Sequence, residues 1–384
     1  MIARIALPII LVVLLTHGYV DRRFWCRLST WKRGLCWLVP LAVVAFTVWM
    51  ALQPDYFPAD VTLLTAYLAV ICCYVVPLVL LQLCSFLGSL LRHRPMGEAV
   101  GWLLALLAVF VFVHGVRSGF RELEVVSVEL SFDDLPPAFD GYRVAQFSDA
   151  HVGTYAGGRQ RILRRAIDSI NALHPDLIVF TGDLQNMRPQ EIDEHRQLLA
   201  SLQARDGVCS VLGNHDYAEY TADSPDQKQL CCQLTREKEQ DLGWHLLANS
   251  HRVIRRGQDS IVVAGMENDG EGRFPQLGDV QGTLQGVDRR SFVVMLEHDP
   301  TSWHRKILPQ SYAQLTLSGH THGGQLSLLG WSPVSLRYRE CQGLYHEGPR
   351  ALYVSKGLGG VIPWRFGTPG EVVVLTLRRG ANKS

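Results

Sequence analysis

Two histidines stand two residues apart in Ser318-Gly319-His320-Thr321-His322-Gly323-Gly324-Gln325, directly after the apolar run 313–317. Alternation along a strand points residues i and i+2 to one side, so both imidazoles can face one point past a strand end. The flanking glycines permit a sharp turn and close approach to an ion or anion. Alone, such a pair is either a metal site or a pair of surface or satisfied core histidines.

Other apolar runs end in the same way. Residues 144–147 lead into Ser148-Asp149-Ala150-His151, 177–180 into Thr181-Gly182-Asp183, 208–212 into Gly213-Asn214-His215-Asp216, and 292–296 into Glu297-His298-Asp299. Carboxylate, imidazole and amide oxygen together suit borderline divalent ions such as Mn²⁺, Fe²⁺ or Zn²⁺. Singly, Asp149, Asp183 and Asn214 are ordinary turn residues, and His298 before Asp299-Pro300 is equally a turn candidate. His174, His195, His245, His251, Arg252, His304 and His346 lack a motif and read as surface or core.

The elements that must position these groups are strands alternating with helices. Ile162, Leu163, Ala166, Ile167 and Ile170 have helical spacing between the first two runs, which makes a βαβ unit. Ser224-Pro225-Asp226 reads as a helix start, with Ser as cap and Pro at the first helical position, running to about Leu242. Residues 126–132 alternate as a half-buried strand, and 353–355 and 372–377 supply late strands. This is α/β architecture, with ligands at the strands' C-terminal ends.

The first third differs in kind. Apolar runs at 5–20, 35–52, 61–91 and 99–116 are almost free of charge, and a membrane span needs about 20 such residues. We read residues 1–116 as four transmembrane helices and 121–384 as one globular domain. The first run is short, and the third is long and carries Pro77. Arg22, Arg23, Arg27, Lys32 and Arg33 fill the first loop, Arg92 and Arg94 the third, and the second has only Asp55 and Asp60. The positive-inside rule then makes loops one and three cytoplasmic and the globular domain extracytoplasmic. A net charge of +1 argues against a nucleic-acid partner. Nine cysteines show no zinc spacing and read as free thiols; adjacent Cys231 and Cys232 read as a core-facing helix.

In this order, Asp149-x-His151, Gly182-Asp183, Gly213-Asn214-His215-Asp216, His298 and Gly319-His320-x-His322 resemble the motifs of calcineurin-like metallophosphoesterases. The segment from Tyr353-Val354-Ser355-Lys356-Gly357 to Trp364-Arg365-Phe366-Gly367 and the apolar N-terminus resemble the membrane-associated phosphodiesterase branch. The resemblance spans roughly 142–377, and one departure from that branch is Gly370 before Glu371, away from the motifs. It implies a four-layer αββα sandwich after the four helices. It also implies two divalent ions, one held by Asp149, His151, Asp183 and His322, the other by Asp183, Asn214, His298 and His320. Asp183 bridges them, a water between the ions loses a proton and attacks phosphorus, His215 is the general acid, and Asp216 orients His215. A phosphodiester or pyrophosphate is the implied substrate, and the bilayer points to a lipid-linked or envelope one. The competing reading is a membrane receptor or scaffold whose metal or phosphate site is not catalytic. Arg365 and the Gly357–Gly360 stretch are weaker candidates for phosphate contact.

Overall fold

The computed structural model describes residues 2–55 and 60–380. Residues 56–59 of the second loop and 381–384 at the expected domain end lie outside the described residues. The chain divides into two compact units, 1–117 with 220–222, and 118–219 with 223–384.

The first unit holds four helices long and apolar enough to cross a membrane. They are α1 (Ile2–Trp25), α2 (Thr30–Ala51), α3 (Val61–Leu90) and α4 (Arg94–Arg117). The apolar run at 5–20 looked short, but the helix continues through a widened turn at Asp21–Trp25 to 24 residues. Within α3, Ile71–Val75 is also a widened turn just before Pro77. Proline lacks the N–H that an ordinary turn would use, and a local π-turn absorbs the mismatch. Helices α3 and α4 pack through glycines: a Cβ on Gly97 would stand 2.3 Å from the Cys84 carbonyl oxygen. Small residues permit such backbone approach.

The second unit contains two six-stranded sheets. The first sheet has the order β1 (Leu123–Phe132), β12 (Gly370–Arg379), β2 (Tyr142–Phe147), β3 (Leu177–Phe180), β4 (Val208–Ser210), β5 (His245–Leu246). The second has β10 (Gly343–Glu347), β11 (Arg350–Val354), β9 (Leu315–Ser318), β8 (Phe292–Leu296), β7 (Asp259–Gly265), β6 (Ser250–Arg256). Strands β2 to β5 run parallel, as do β11, β9, β8 and β7.

Side-chain alternation builds the layers. Val144, Leu177, Val179, Val263, Val294, Leu317 and Tyr353 share one core between the sheets. The intervening Ala145, Ile178 and Phe180 pack instead with Leu163, Ile167 and Ile170 of α5 (Gln160–Ala172). On the far side, Val293 and Met295 pack with Trp303 and Ile307. Helix, sheet, sheet, helix is the αββα order. Parallel strands buried on both faces read as unbroken apolar runs, which hides the layering from the sequence. Helix α6 (Pro225–Asp241) starts as its residues foretell: the Gln227 N–H donates to Ser224 Oγ at 3.4 Å, and Pro225 occupies the first turn.

Candidate metal centre

Every strand-end cluster singled out in the sequence arrives at one edge of the paired sheets, at the C-terminal ends of β2, β3, β4, β8 and β9. Asp149, His151, Asp183, His320 and His322 all have φ between 46° and 72°. Left-handed backbone in non-glycine residues costs about 1–2 kcal/mol each and collects at functional sites. Here it turns the chain back immediately after each strand, so that the side chains converge. Two glycines are required by close approach. A Cβ on Gly213 would fall 2.2 Å from Asp183 Oδ1, and one on Gly319 would fall 2.4 Å from Asp149 Oδ2.

Ligand-type atoms of Asp149, His151, Asp183 and His322 lie within 4.8 Å of one another. His322 Nε2 is 3.4 Å from Asp149 Oδ1, and His151 Nε2 is 3.6 Å from Asp183 Oδ2. Both ring nitrogens of His151 are buried without a hydrogen bond to protein, as is Nδ1 of His322. Burial, with the neighbouring His215, holds the His151 pKa well below the usual value. Burial and then Arg365 lower His322 to about 3. These imidazoles are neutral, the form that offers a lone pair to a cation.

A second group converges on the other side of Asp183. His298 Nε2 is 3.2 Å from Asp183 Oδ2 and 3.2 Å from Asn214 Oδ1. His320 Nδ1 is 2.7 Å from Asn214 Oδ1 and 3.3 Å from His298 Nε2. His298 Nδ1 donates to the Thr181 carbonyl at 2.7 Å, so Nε2 is the nitrogen turned toward Asp183 and Asn214. Carboxylate, amide oxygen and two imidazole nitrogens thus face one another with acceptors to spare, and a cation resolves this. Burial opposes charging His298, but Asp183 overrides it and raises the imidazole to about 10. The field at this point calls for positive charge. The residues fit divalent ions, and the structure brings all seven expected ligands together.

Asp183 divides its carboxylate. Oδ2 faces both His151 and His298, while Oδ1 accepts the backbone N–H of His215 at 2.8 Å.

His215 is buried beside the first group, its ring centroid 4.7 Å from that of His151. Its Nδ1 donates to the Asn186 carbonyl at 2.5 Å, leaving Nε2 as the nitrogen whose protonation can change. Asp216, expected to orient His215, makes hydrogen bonds to backbone. Its carboxylate accepts four backbone N–H groups, from Asp183 (2.9 Å), Leu184 (3.0 Å), Gln185 (3.3 Å) and Gly213 (2.8 Å). Burial and the charge of Asp183 push its pKa up to about 7, against those donors. With four donors aimed at it, Asp216 works as an anion that ties the loop after β3 to the loop after β4.

Arg365 is completely buried and donates to the carbonyls of Lys356, Gly357 and Gly359 at 2.8, 3.0 and 2.6 Å. The N–H groups of Leu358 and Gly359 donate to Ser148 and Asp149, both at 2.8 Å. The glycine stretch therefore backs Asp149, with these amides spent on backbone instead of a phosphate. Two supporting residues escaped the sequence reading. Tyr338 OH is 3.0 Å from His320 Nε2, and Asp299 Oδ2 is 3.4 Å from it. Asp299 Oδ1 makes the turn its sequence foretells, accepting the Thr301 N–H at 2.9 Å. Tyr338 had no motif to mark it.

Residues 142–324 match the family model described as calcineurin-like phosphoesterase. Over 310 residues the chain is 32% identical to a Danio rerio transmembrane protein with metallophosphoesterase domain, covering 76% of this chain and 68% of that one. Over 255 residues it is 33% identical to the uncharacterized metallophosphoesterase YkuE of Bacillus subtilis, covering 64% and 82%. Over 294 residues it is 27% identical to the UDP-2,3-diacylglucosamine pyrophosphatase LpxG of Chlamydia trachomatis, covering 63% and 86%. The residues matched by the family model include every strand end that carries the converging carboxylates and imidazoles, and the chain belongs to the calcineurin-like metallophosphoesterase family.

Proposed function

We propose that this chain is a membrane-anchored dimetal phosphoesterase that hydrolyses a phosphodiester or pyrophosphate bond. The observation that carries the reading is the position of Asp183 Oδ2, 3.6 Å from His151 Nε2 and 3.2 Å from His298 Nε2. One ion would be held by Asp149, His151, Asp183 and His322, the other by Asp183, Asn214, His298 and His320. Asp183, whose Oδ2 faces both groups, would be shared between them. Mn²⁺, Fe²⁺ and Zn²⁺ all suit this donor set. When bound, such ions supply Lewis acidity toward phosphoryl oxygens and lower the pKa of water.

The chain's own residues do the rest. Thr181 anchors Nδ1 of His298, and Tyr338 with Asp299 stands at Nε2 of His320, so His298 Nε2 and His320 Nδ1 are the nitrogens turned inward. His215 holds its Nδ1 proton on Asn186; burial lowers its pKa, so Nε2 must first take up a proton, and the resulting imidazolium delivers it to the leaving-group oxygen and returns to neutral. Asp216 keeps the loops of Asp183 and His215 in register.

The four apolar helices and the relative named as acting on UDP-2,3-diacylglucosamine support a lipid-linked or envelope substrate. The arginine-rich first loop supports an extracytoplasmic catalytic unit. A non-catalytic receptor would tolerate gaps in the donor set, and none of the seven positions is missing.

The test is a substrate panel on the detergent-solubilised full chain with added Mn²⁺, comparing diesters, pyrophosphates and monoesters. Metal-dependent turnover of a diester or pyrophosphate, lost in His215→Ala, is expected. Metal-independent turnover, or none on the whole panel, would contradict the reading.

A further inference from the structure

The segment between the His320-x-His322 loop and β10 contains an outlier unrelated to metal binding. Leu328 and Trp331 exchange backbone hydrogen bonds, 2.8 Å from the Leu328 N–H and 3.0 Å from the Trp331 N–H. They close a two-residue hairpin whose tip is Leu329-Gly330. Leu329 has φ 52° and Gly330 has φ 84°. Two successive positive φ values define the turn type in which Asn-Gly or Asp-Gly is strongly preferred. Here the first position is leucine, a residue that pays for left-handed backbone with no local hydrogen bond in return.

The same leucine is fully exposed, at 108% relative accessibility, with Leu328 at 51%, Trp331 at 52% and Leu336 at 81%. Among the described residues, four of the nine large apolar side chains exposed in the catalytic unit fall within 328–336. Arg337 and Arg339 follow, with side chains 60% and 77% exposed and paired at the surface with Glu271 at 2.9 Å and Glu340 at 3.3 Å. The hairpin is anchored to the site at its base. Ser332 Oγ donates to the Gly323 carbonyl at 2.8 Å, Leu326 bridges to Phe366, and Tyr338 meets His320. A leucine placed where it is unfavourable both conformationally and in water marks a surface selected for contact.

We propose that the hairpin 328–331 inserts into the lipid bilayer, with Leu328, Leu329 and Trp331 in the acyl and interfacial layer and Arg337 and Arg339 at anionic headgroups. A bilayer is available wherever this chain is, because four helices of the same chain are long and apolar enough to cross one. Only residues 118–122 separate α4 from β1 along the sequence. Apolar side chains with an interfacial tryptophan and flanking arginines are the composition that partitions there. The inference does not depend on which phosphoester is cleaved.

The test installs the photoreactive residue p-benzoylphenylalanine at Leu329 in the full chain, reconstituted in phosphatidylethanolamine–phosphatidylglycerol vesicles. After illumination, mass spectrometry reads adducts on the peptide containing residue 329. The same residue at Leu107, exposed on α4, is the positive control, and at Arg290, on the far-exposed turn after 288, the negative one. Lipid adducts at 329 and 107 but not at 290 are expected. Crosslinks from 329 to another segment of the chain, to a second copy or to no lipid while 107 is labelled would overturn the proposal. Leu329→Asn, which suits the turn and is polar, guards against misfolding. It is expected to fold and to lose lipid protection of the 326–332 amides in hydrogen exchange, and unchanged protection would also overturn it.

Discussion

The Nδ1 of His215 donates to the backbone carbonyl of Asn186 at 2.5 Å. A carbonyl is an acceptor only, so this contact assigns the tautomer and frees Nε2 for proton transfer. General acid catalysis matters most for poor leaving groups. His215→Ala is expected to lower kcat by about 10²–10⁴-fold for an alkyl phosphodiester, and far less for a p-nitrophenyl diester. Equal losses on both substrates would remove His215 from that role.

Asp216 is expected to behave differently from a catalytic carboxylate. Asp216→Asn turns an NH₂ group toward N–H donors and leaves buried amides unpaired, at about 1–3 kcal/mol each. The variant should melt earlier by about 2 kcal/mol or more, while the pH dependence of kcat keeps its shape. A shifted pH profile with unchanged stability would restore the direct link to His215. Thermal unfolding and a pH–rate series on the solubilised chain read both.

Asp299 and Tyr338 both stand at Nε2 of His320, 3.4 Å and 3.0 Å away. Replacing a group that orients a metal-ligating histidine typically costs about 10–100-fold in metal affinity or activity. Asp299→Ala, and to a smaller degree Tyr338→Phe, should weaken Mn²⁺ binding by that amount in calorimetric titration. Kinetically, the Mn²⁺ concentration for half-maximal rate should rise while the rate at saturating Mn²⁺ recovers most of its value. Unchanged metal titration curves would make both residues merely structural.

Glu239 on α6 gives a pH-dependent stability. It is completely buried, and its Oε2 accepts from Ser210 Oγ at 2.5 Å. Burial, with Asp216 nearby, raises its pKa well above the ordinary value. The unfolded chain loses this proton near pH 4.3, whereas the folded chain keeps it to higher pH. Stability from this group is therefore complete below the unfolded pKa and is lost as pH rises through the folded one. Glu239→Gln should flatten the decline, gaining on the wild type as pH goes from 5 to 8 in paired melting curves. Parallel curves would contradict it.

The candidate metal centre was legible because parallel strands write their ends plainly: an apolar run, then Asp, His or Asn at the turn. That pattern located β2, β3, β4, β8 and β9 and all seven converging side chains. Strand β7 has an equally apolar run but leads into Gly265-Met266-Glu267, with no ligand to flag it. Edge strands β6 and β10 carry His251, Arg252, Arg255 and Arg256, and His346 and Glu347, so they lack the alternation that marks a half-buried strand. The pairing of β1 with β12 joins opposite ends of the domain, and local pattern carries no trace of it. The backbone bonds of Asp216 were not legible: adjacency to His215 in sequence suggests contact with that ring, and only the turn at Asn214–Tyr217 brings the carboxylate back to the Gly213 N–H.

The most direct test of the central claim is metal stoichiometry in the purified full chain, wild type against Asp183→Asn, by plasma mass spectrometry after Mn²⁺ loading. Since Asp183 Oδ2 faces both donor groups, wild type should carry about two ions per chain. Asp183→Asn should lose both, together with at least about 10²-fold of diesterase turnover. A variant that retains two ions, or turns over at the wild-type rate, would contradict the account.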